Sequence, residues 1–426
     1  MMEGTHDSLA AEPEKGLARL LFKLRRGGPS WILRRLQSEM LLPTTKPGKM
    51  LHTALRRTIA AGSAPGRFAR GLMGMAPPVA NDTLYAFYDL KVEPITFDIV
   101  WFLASADLQR RRLGLEHVHV VIVPGPDDDL RKENPGYEAV VDREARRWRI
   151  HNILIAVVGL LPSCVGLTLA GSRHEAAAIR AGAGPRHYPQ TYEPILPPAH
   201  HPNDTLVPAR VGVRPIGSLR AGAQALRYID RWLAMYAAGR RVITITLRDY
   251  EYSQPRNSNL AAWAQFAHRL DPELWLPVFV LDTERTLDEV PKAIQDFVVF
   301  QEVSWNVGLR MALYERAWLN LGVNNGPMAL CWLNERTRYI TFKMVTPSVT
   351  QTTVAFNRAR GFEPNQSLPF AMPFQKWVWE DDTLEVIERE YQAMAECIDH
   401  GSRVQECVEM NSRNANAHES TDSEKS

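Results

Sequence analysis

The chain has 426 residues, 50 Lys+Arg against 48 Asp+Glu, and a net charge of +2. That length is too great for one typical domain and suits two plus tails, while 45% hydrophobic residues and 11 Trp exclude a wholly disordered polymer. Cys164, Cys331, Cys397 and Cys407 show no CxxC spacing and no Cys/His cluster, which speaks against a zinc site or a disulfide framework and fits a reducing cytoplasm.

Met1 to Glu14 is acidic and polar, unlike a signal peptide. Residues 17–72 are rich in Arg and Lys, and Glu39 is their only acidic residue. Leu17, Leu20, Leu21 and Leu24 recur at helical spacing. A basic amphipathic segment of this kind can lie on an anionic bilayer. Residues 1–80 are therefore expected to be a basic extension, partly helical or flexible. It would attach a cytoplasmic protein peripherally to the inner face of the membrane. A solvated extension and a mitochondrial-type presequence are the alternatives. No nucleic-acid motif accompanies the charge.

A first domain is expected over residues 81–238. Leu84 to Tyr88 reads as a strand, Thr96 to Leu113 as a helix, and Val118 to Val123 as a buried strand. Asp127-Asp128-Asp129 follows, better suited to a solvated loop than to Mg²⁺, which wants carboxylates placed for near-octahedral geometry. Ile150 to Ala170 is apolar for about the length of a membrane span, but Pro162-Ser163-Cys164 interrupts it. It is read as the end of a helix from Arg143 to Leu161, a turn, and a strand from Val165 to Ala170 covered on both faces. Ser172 and Glu175 form a capping-box pattern. Gly184 to Val211, with His200-His201, is a long Pro-rich loop, of the kind that often borders binding sites. Arg220 to Ala238 reads as a helix.

The alternation then restarts, and a second domain is expected over residues 239–376. Val242 to Leu247 is a β-branched strand that ends at Arg248-Asp249-Tyr250-Glu251. Arg256 and Asn257 follow, and Asn257 or Ser258 would cap the helix Asn259 to Leu270. Arginine suits a diphosphate because its planar fork binds two oxygens; a surface Arg–Asp pair is the plainer alternative. Trp275 to Leu281 and Phe297 to Phe300 are further strands, and Glu302 lies between the second of these and the helix Asn306 to Trp318. Residues 377–399 are expected to hold a helix, capped by Asp381 or Asp382, that crosses back to the first domain, and 400–426 a disordered tail. Strands alternating with helices imply doubly wound parallel sheets, here two Rossmann-like α/β domains facing across a cleft.

The most informative stretch runs from Asn320 to Met344. Leu321 to Val323 ends at Asn324-Asn325-Gly326-Pro327, residues that tolerate the φ values of a turn. Pro327 suits the first turn of a helix over Met328 to Leu333, and Tyr339 to Met344 returns as a strand. In parallel α/β sheets ligands bind beyond the carboxyl ends of strands, beside helix N-termini. The loop is thus a candidate diphosphate or ribose cradle, or an ordinary βα turn.

Asn324 to Leu330 (NNGPMAL) resembles the (D/N)-x-G-P-M-x-L signature of the heptosyltransferase-like glycosyltransferases of GT-B fold. The family usually has an acid where this chain has Asn324 and Asn325. The resemblance implies a transferase taking a nucleoside-diphosphate sugar on the second domain and a glycan or lipid-linked hydroxyl acceptor on the first, for building a cell-surface polysaccharide. It implies no cofactor and no metal. Arg248 would stabilise the departing diphosphate, with Arg256, Asn257, Asn324, Asn325, Gly326, Pro327 and Met328 around the donor and Glu302 on its hydroxyls. In the family an Asp after the first strand, with a Pro several residues on, is the general base; here Asp89 follows that strand and Pro94 follows it, with Asp98 in reserve. A nucleotide-sugar epimerase of GT-B fold, or a non-catalytic membrane-associated protein with a decayed donor site, is the alternative.

Overall fold

A computed structural model describes residues 46–50, 53–54, 81–197, 216 and 218–400. Most of the basic segment 17–72, the pair His200-His201, Cys407 and nearly all of the expected tail lie outside the described residues.

Two parallel sheets organise the chain. The first has the order β3-β2-β1-β4, from β1 (Thr83–Asp89), β2 (His117–Val123), β3 (Cys164–Leu169) and β4 (His187–Tyr188). The second has six strands in the order β10-β9-β8-β5-β6-β7. These are β5 (Arg241–Thr246), β6 (Trp275–Val280), β7 (Val298–Val299), β8 (Leu319–Val323), β9 (Tyr339–Phe342) and β10 (Gln375–Trp377). All neighbouring pairs are parallel, so each sheet needs crossover segments between its strands. β1 and β8 are buried at every position, as strands covered on both faces require.

β3 departs from that expectation. It is an edge strand of the first sheet, and Val165 and Leu169 are largely exposed. The helix before it also differs: α-helix over Arg143–Arg149, a π turn over Ile150–Ile155, and α-helix again over Ala156–Val158. The apolar run of residues 150–170 is therefore divided between helix and strand, and no helix among the described residues is long and apolar enough to cross a membrane.

The crossover helices carry local signals that the chain states plainly. We number those used below α1 (Ile99–Arg112), α2 (Arg143–Arg149), α3 (Arg173–Ala183), α4 (Ala223–Tyr236), α5 (Leu260–Arg269), α6 (Val307–Arg316) and α7 (Ala329–Trp332). Ser172 Oγ accepts from Glu175 N–H at 3.1 Å, while the Glu175 carboxylate accepts from Gly171 N–H, one residue earlier than in a strict capping box. Asn259, not Asn257 or Ser258, caps α5 by accepting from Ala262 N–H.

A last helix, over residues 384–400, takes its cap from Thr383, whose Oγ1 accepts from Val386 N–H. Asp382 is held elsewhere, accepting from Asn259 N–H at 2.7 Å and Trp263 Nε1–H at 2.9 Å. This helix buries Val386, Ile387, Met394 and Ile398 beside Trp263 and Phe266 of the second domain, rather than crossing back to the first. Those apolar residues recur on one face, and α5 offers the matching face.

The two sheets meet through side chains as well as sequence. Trp101 on α1 lies 6.1 Å from Trp332 on α7 and 5.8 Å from Phe362, inside one apolar cluster that contains residues of both sheets.

Candidate active site in the interdomain cleft

The carboxyl ends of β5, β6 and β8 and the start of α1 open onto one cleft of about 300 Å³. It adjoins a second lobe of about 400 Å³. Thr96, Asp98, Trp101, Tyr137 and Arg149 line it from the first domain, and Arg248, Tyr250, Arg256, Asp282 and Asn324 to Pro327 from the second. Open parallel sheets place ligands at this position.

The loop after β8 is built differently from a glycine-rich turn. None of Asn324, Asn325 and Gly326 has a positive φ. Gly326 is required instead by a close approach: a Cβ there would lie 3.0 Å from Phe97 Cδ2 and 3.1 Å from Phe97 Cβ of the first domain.

The helix after the loop is a single short turn, α7. Its first N–H groups are already bonded: Met328 N–H to Asn325 Oδ1 at 2.9 Å, and Ala329 and Leu330 N–H to the carbonyls of Gly326 and Pro327. The expected anion cradle of free helix-start N–H groups is therefore not formed by these three. Met328 does not line the cleft; its side chain is fully buried, with Sδ against the backbone of Gly322. Asn325 is buried too, and its Nδ2 has no hydrogen-bond partner among the described residues. A buried amide donor left unpaired costs free energy that a ligand oxygen would recover.

Arg248 and Arg256 divide the labour differently than their order suggests. Arg248 is buried, and its guanidinium donates to the carbonyls of Ser253 (3.2 Å) and Tyr252 (2.7 Å) and to Asn257 Oδ1. Asn257 in turn accepts from Tyr250 N–H and donates to Tyr250 O. Arg248 and Asn257 thus brace the loop after β5. The Arg256 guanidinium makes one hydrogen bond, to Asn324 O at 2.8 Å, and no ion pair among the described residues. Burial first, then the neighbouring Arg248, push its pKa down to about 10. It still carries its charge at neutral pH, in a setting that disfavours the charge until an anion arrives.

The carboxylates sort as clearly. Asp89 is fully buried and outside the cleft. Arg173 grips both its oxygens (Nη1–Oδ1 3.0 Å, Nη2–Oδ2 2.7 Å), Tyr192 OH donates to Oδ2 at 2.8 Å, and Lys91 N–H to Oδ1 at 2.9 Å. A general base must reach the proton it removes, and Asp89, the expected base, is held in this buried pair away from the cleft. Asp98 is exposed, lines both lobes, and stands at the start of α1 without a capping bond. Its carboxylate accepts from Thr96 Oγ1 at 3.1 Å and forms no ion pair among the described residues. Glu302 is exposed in the first turn of a four-residue helix and does not line the cleft. Asp282 lies in the cleft wall with its pKa raised, chiefly by burial. Asp127 and Asp128 pair with Arg143 and Arg147 on α2.

Sequence reading missed the residues that join the two walls. Arg149 of the first domain donates to Tyr250 OH at 2.9 Å and to Glu284 at 2.5 Å of the second. Tyr137 and Tyr252 face each other edge-on across the cleft at 5.3 Å. Nothing local marks such partners, which lie more than a hundred residues apart.

No protein-family model matches the chain, and no curated protein matches it. Solved structures do. One is the glycosyl transferase family 9 from Veillonella parvula, at 12% identity over 70% of this chain and 88% of that one, with a TM-score of 0.42. Another is E. coli ADP-heptose lps heptosyltransferase II, at 10% identity over 75% and 99%, with a TM-score of 0.43. A third is the wall teichoic acid polymerase TagF, at 11% identity over 84% and 93%, with a TM-score of 0.26.

Proposed function

We propose that the chain is a glycosyltransferase that moves a sugar from a nucleoside-diphosphate sugar to a hydroxyl acceptor. The single observation that carries this is Arg256, a partly buried guanidinium without an ion pair among the described residues, which faces the cleft beyond a parallel sheet. A diphosphate supplies the missing charge and fits the fork of the guanidinium. As the sugar–oxygen bond breaks, negative charge grows on the departing diphosphate, and a fixed cation there lowers the barrier. Asn325 Nδ2, buried in the cleft wall without a partner among the described residues, offers a donor to the same ligand. Arg248 holds the loop from which Arg256 extends.

Asp98 faces this group from the other wall and serves as the general base. It takes the acceptor hydroxyl proton while the acceptor oxygen forms its bond to the sugar carbon. Tyr137, Tyr250 and Tyr252 line the space between and offer ring faces and hydroxyls to a sugar. The acceptor is a glycan or lipid-linked hydroxyl. Arginine, not a metal ion, meets the leaving-group charge.

The test is release of nucleoside diphosphate from a panel of nucleotide sugars, with and without glycan acceptors. Arg256→Ala is expected to lower turnover about 10- to 100-fold, the value of one or two charge-assisted hydrogen bonds. Arg256→Lys is expected to restore part of it, since Lys keeps the charge but not the fork. Sugar rearrangement without an acceptor would place the chain among epimerases instead.

A further inference from the structure

The opposite end of the second sheet carries a second concentration of positive charge. β5, β8 and β9 are adjacent and parallel, so their starts lie side by side, away from the cleft. Each start carries or follows arginine: Arg240 just before β5 and Arg241 as its first residue, Arg316 two residues before Trp318 and β8, and Arg336 and Arg338 before β9. All five line a pocket of about 560 Å³.

The carboxylates nearby leave part of this charge unanswered. Arg316 pairs with Asp230 at 2.6 Å and Arg241 with Asp399 at 3.6 Å. Glu315, the pocket's own acid, accepts from Ala221 N–H and Asn334 Nδ2–H. Arg240 donates to the carbonyls of Ala237 and Tyr236, at the end of α4, an ordinary role for a cation at a helix C-terminus. Arg336 and Arg338 have no ion pair, and no side-chain hydrogen bond of theirs is found among the described residues. Two unengaged forks in a concave, positively charged site suit the geometry of phosphate oxygens.

We propose that this pocket binds a ligand bearing a phosphate or diphosphate group, at a site separate from the cleft, with Arg336 and Arg338 as its principal contacts. A lipid headgroup and a soluble phosphorylated molecule present the same chemistry. Either would place a phosphate at the end of the second sheet opposite the cleft.

The test uses the full chain with inorganic pyrophosphate by calorimetry, and with phosphatidylserine-containing vesicles by flotation. Arg336→Ala/Arg338→Ala and Arg256→Ala are compared with wild type, and thermal melts confirm folding. The double variant is expected to lose a pyrophosphate site that Arg256→Ala keeps, with binding there weakened about tenfold or more. Arg336→Lys/Arg338→Lys, which keeps the charge, is expected to fall between. If vesicle binding drops together with pyrophosphate binding in the double variant, the source is a headgroup; if only pyrophosphate binding drops, it is a soluble ligand. Wild-type protein that binds neither probe, or a folded double variant that binds both as wild type does, would overturn the proposal.

Discussion

Asp98→Asn is expected to reduce turnover by about 100- to 10,000-fold, the usual contribution of a general base. Nucleotide affinity and thermal stability are expected to stay near wild type. Asp98 is exposed, makes no side-chain capping bond to α1, and among the described residues has no ion pair and one side-chain hydrogen-bond partner, Thr96. Its amide therefore loses a proton acceptor and little else. A parallel loss of stability would show that Asp98 holds the start of α1 in place. Normal turnover by Asp98→Asn would remove it as the base and direct attention to Asp282, whose pKa burial raises.

Asp89→Asn is expected to act in the opposite way. Its carboxylate is fully buried under the bidentate grip of Arg173, with Tyr192 and Lys91 N–H completing the shell. Removing one charge of a buried pair leaves the other uncompensated, at a cost of about 3–5 kcal/mol. Arg173 is 23% exposed, so water shares the load and the lower end applies, about 3 kcal/mol. Denaturant titration is expected to show this loss. The protein that remains folded is expected to turn over normally, because Asp89 does not line the cleft. Unchanged stability with abolished turnover would reverse the roles of Asp89 and Asp98.

These two acids also show where sequence stops being legible. Asp89 ends β1 and Asp98 follows nine residues later, and both fit the spacing of a base near a strand end. What separates them is Arg173, 84 residues further on, which engages one and not the other. The strands themselves were legible: VHVVIV, VITITL and WLPVFV are continuous apolar or β-branched runs, and each is a parallel strand in the structure. The restart of the alternation gave the second sheet. Edge position was not legible, and so Val165 and Leu169 look like core residues in the chain but stand exposed on β3.

The NNGP loop shows a subtler limit. Its position after a strand was readable, and its lining of the cleft follows from that. The reason for Gly326 was not, because Phe97 comes from the other domain. Likewise Arg248 and Arg256 look equivalent in sequence, yet one is held by the carbonyls of its own loop and the other faces the cleft. The arginines at the starts of β5, β8 and β9 are scattered over about a hundred residues of sequence. Only the strand order reveals that the three meet.

The most direct measurement is calorimetric titration of the purified chain with UDP, GDP, ADP and CDP, beside Arg256→Ala. Saturable binding of one nucleotide at the cleft, weakened about 10- to 100-fold by the substitution and distinct from any binding that Arg336→Ala/Arg338→Ala removes, is the predicted result. A folded wild-type protein that binds none of the four, or an Arg256→Ala variant that binds as wild type does, would contradict a donor site at Arg256.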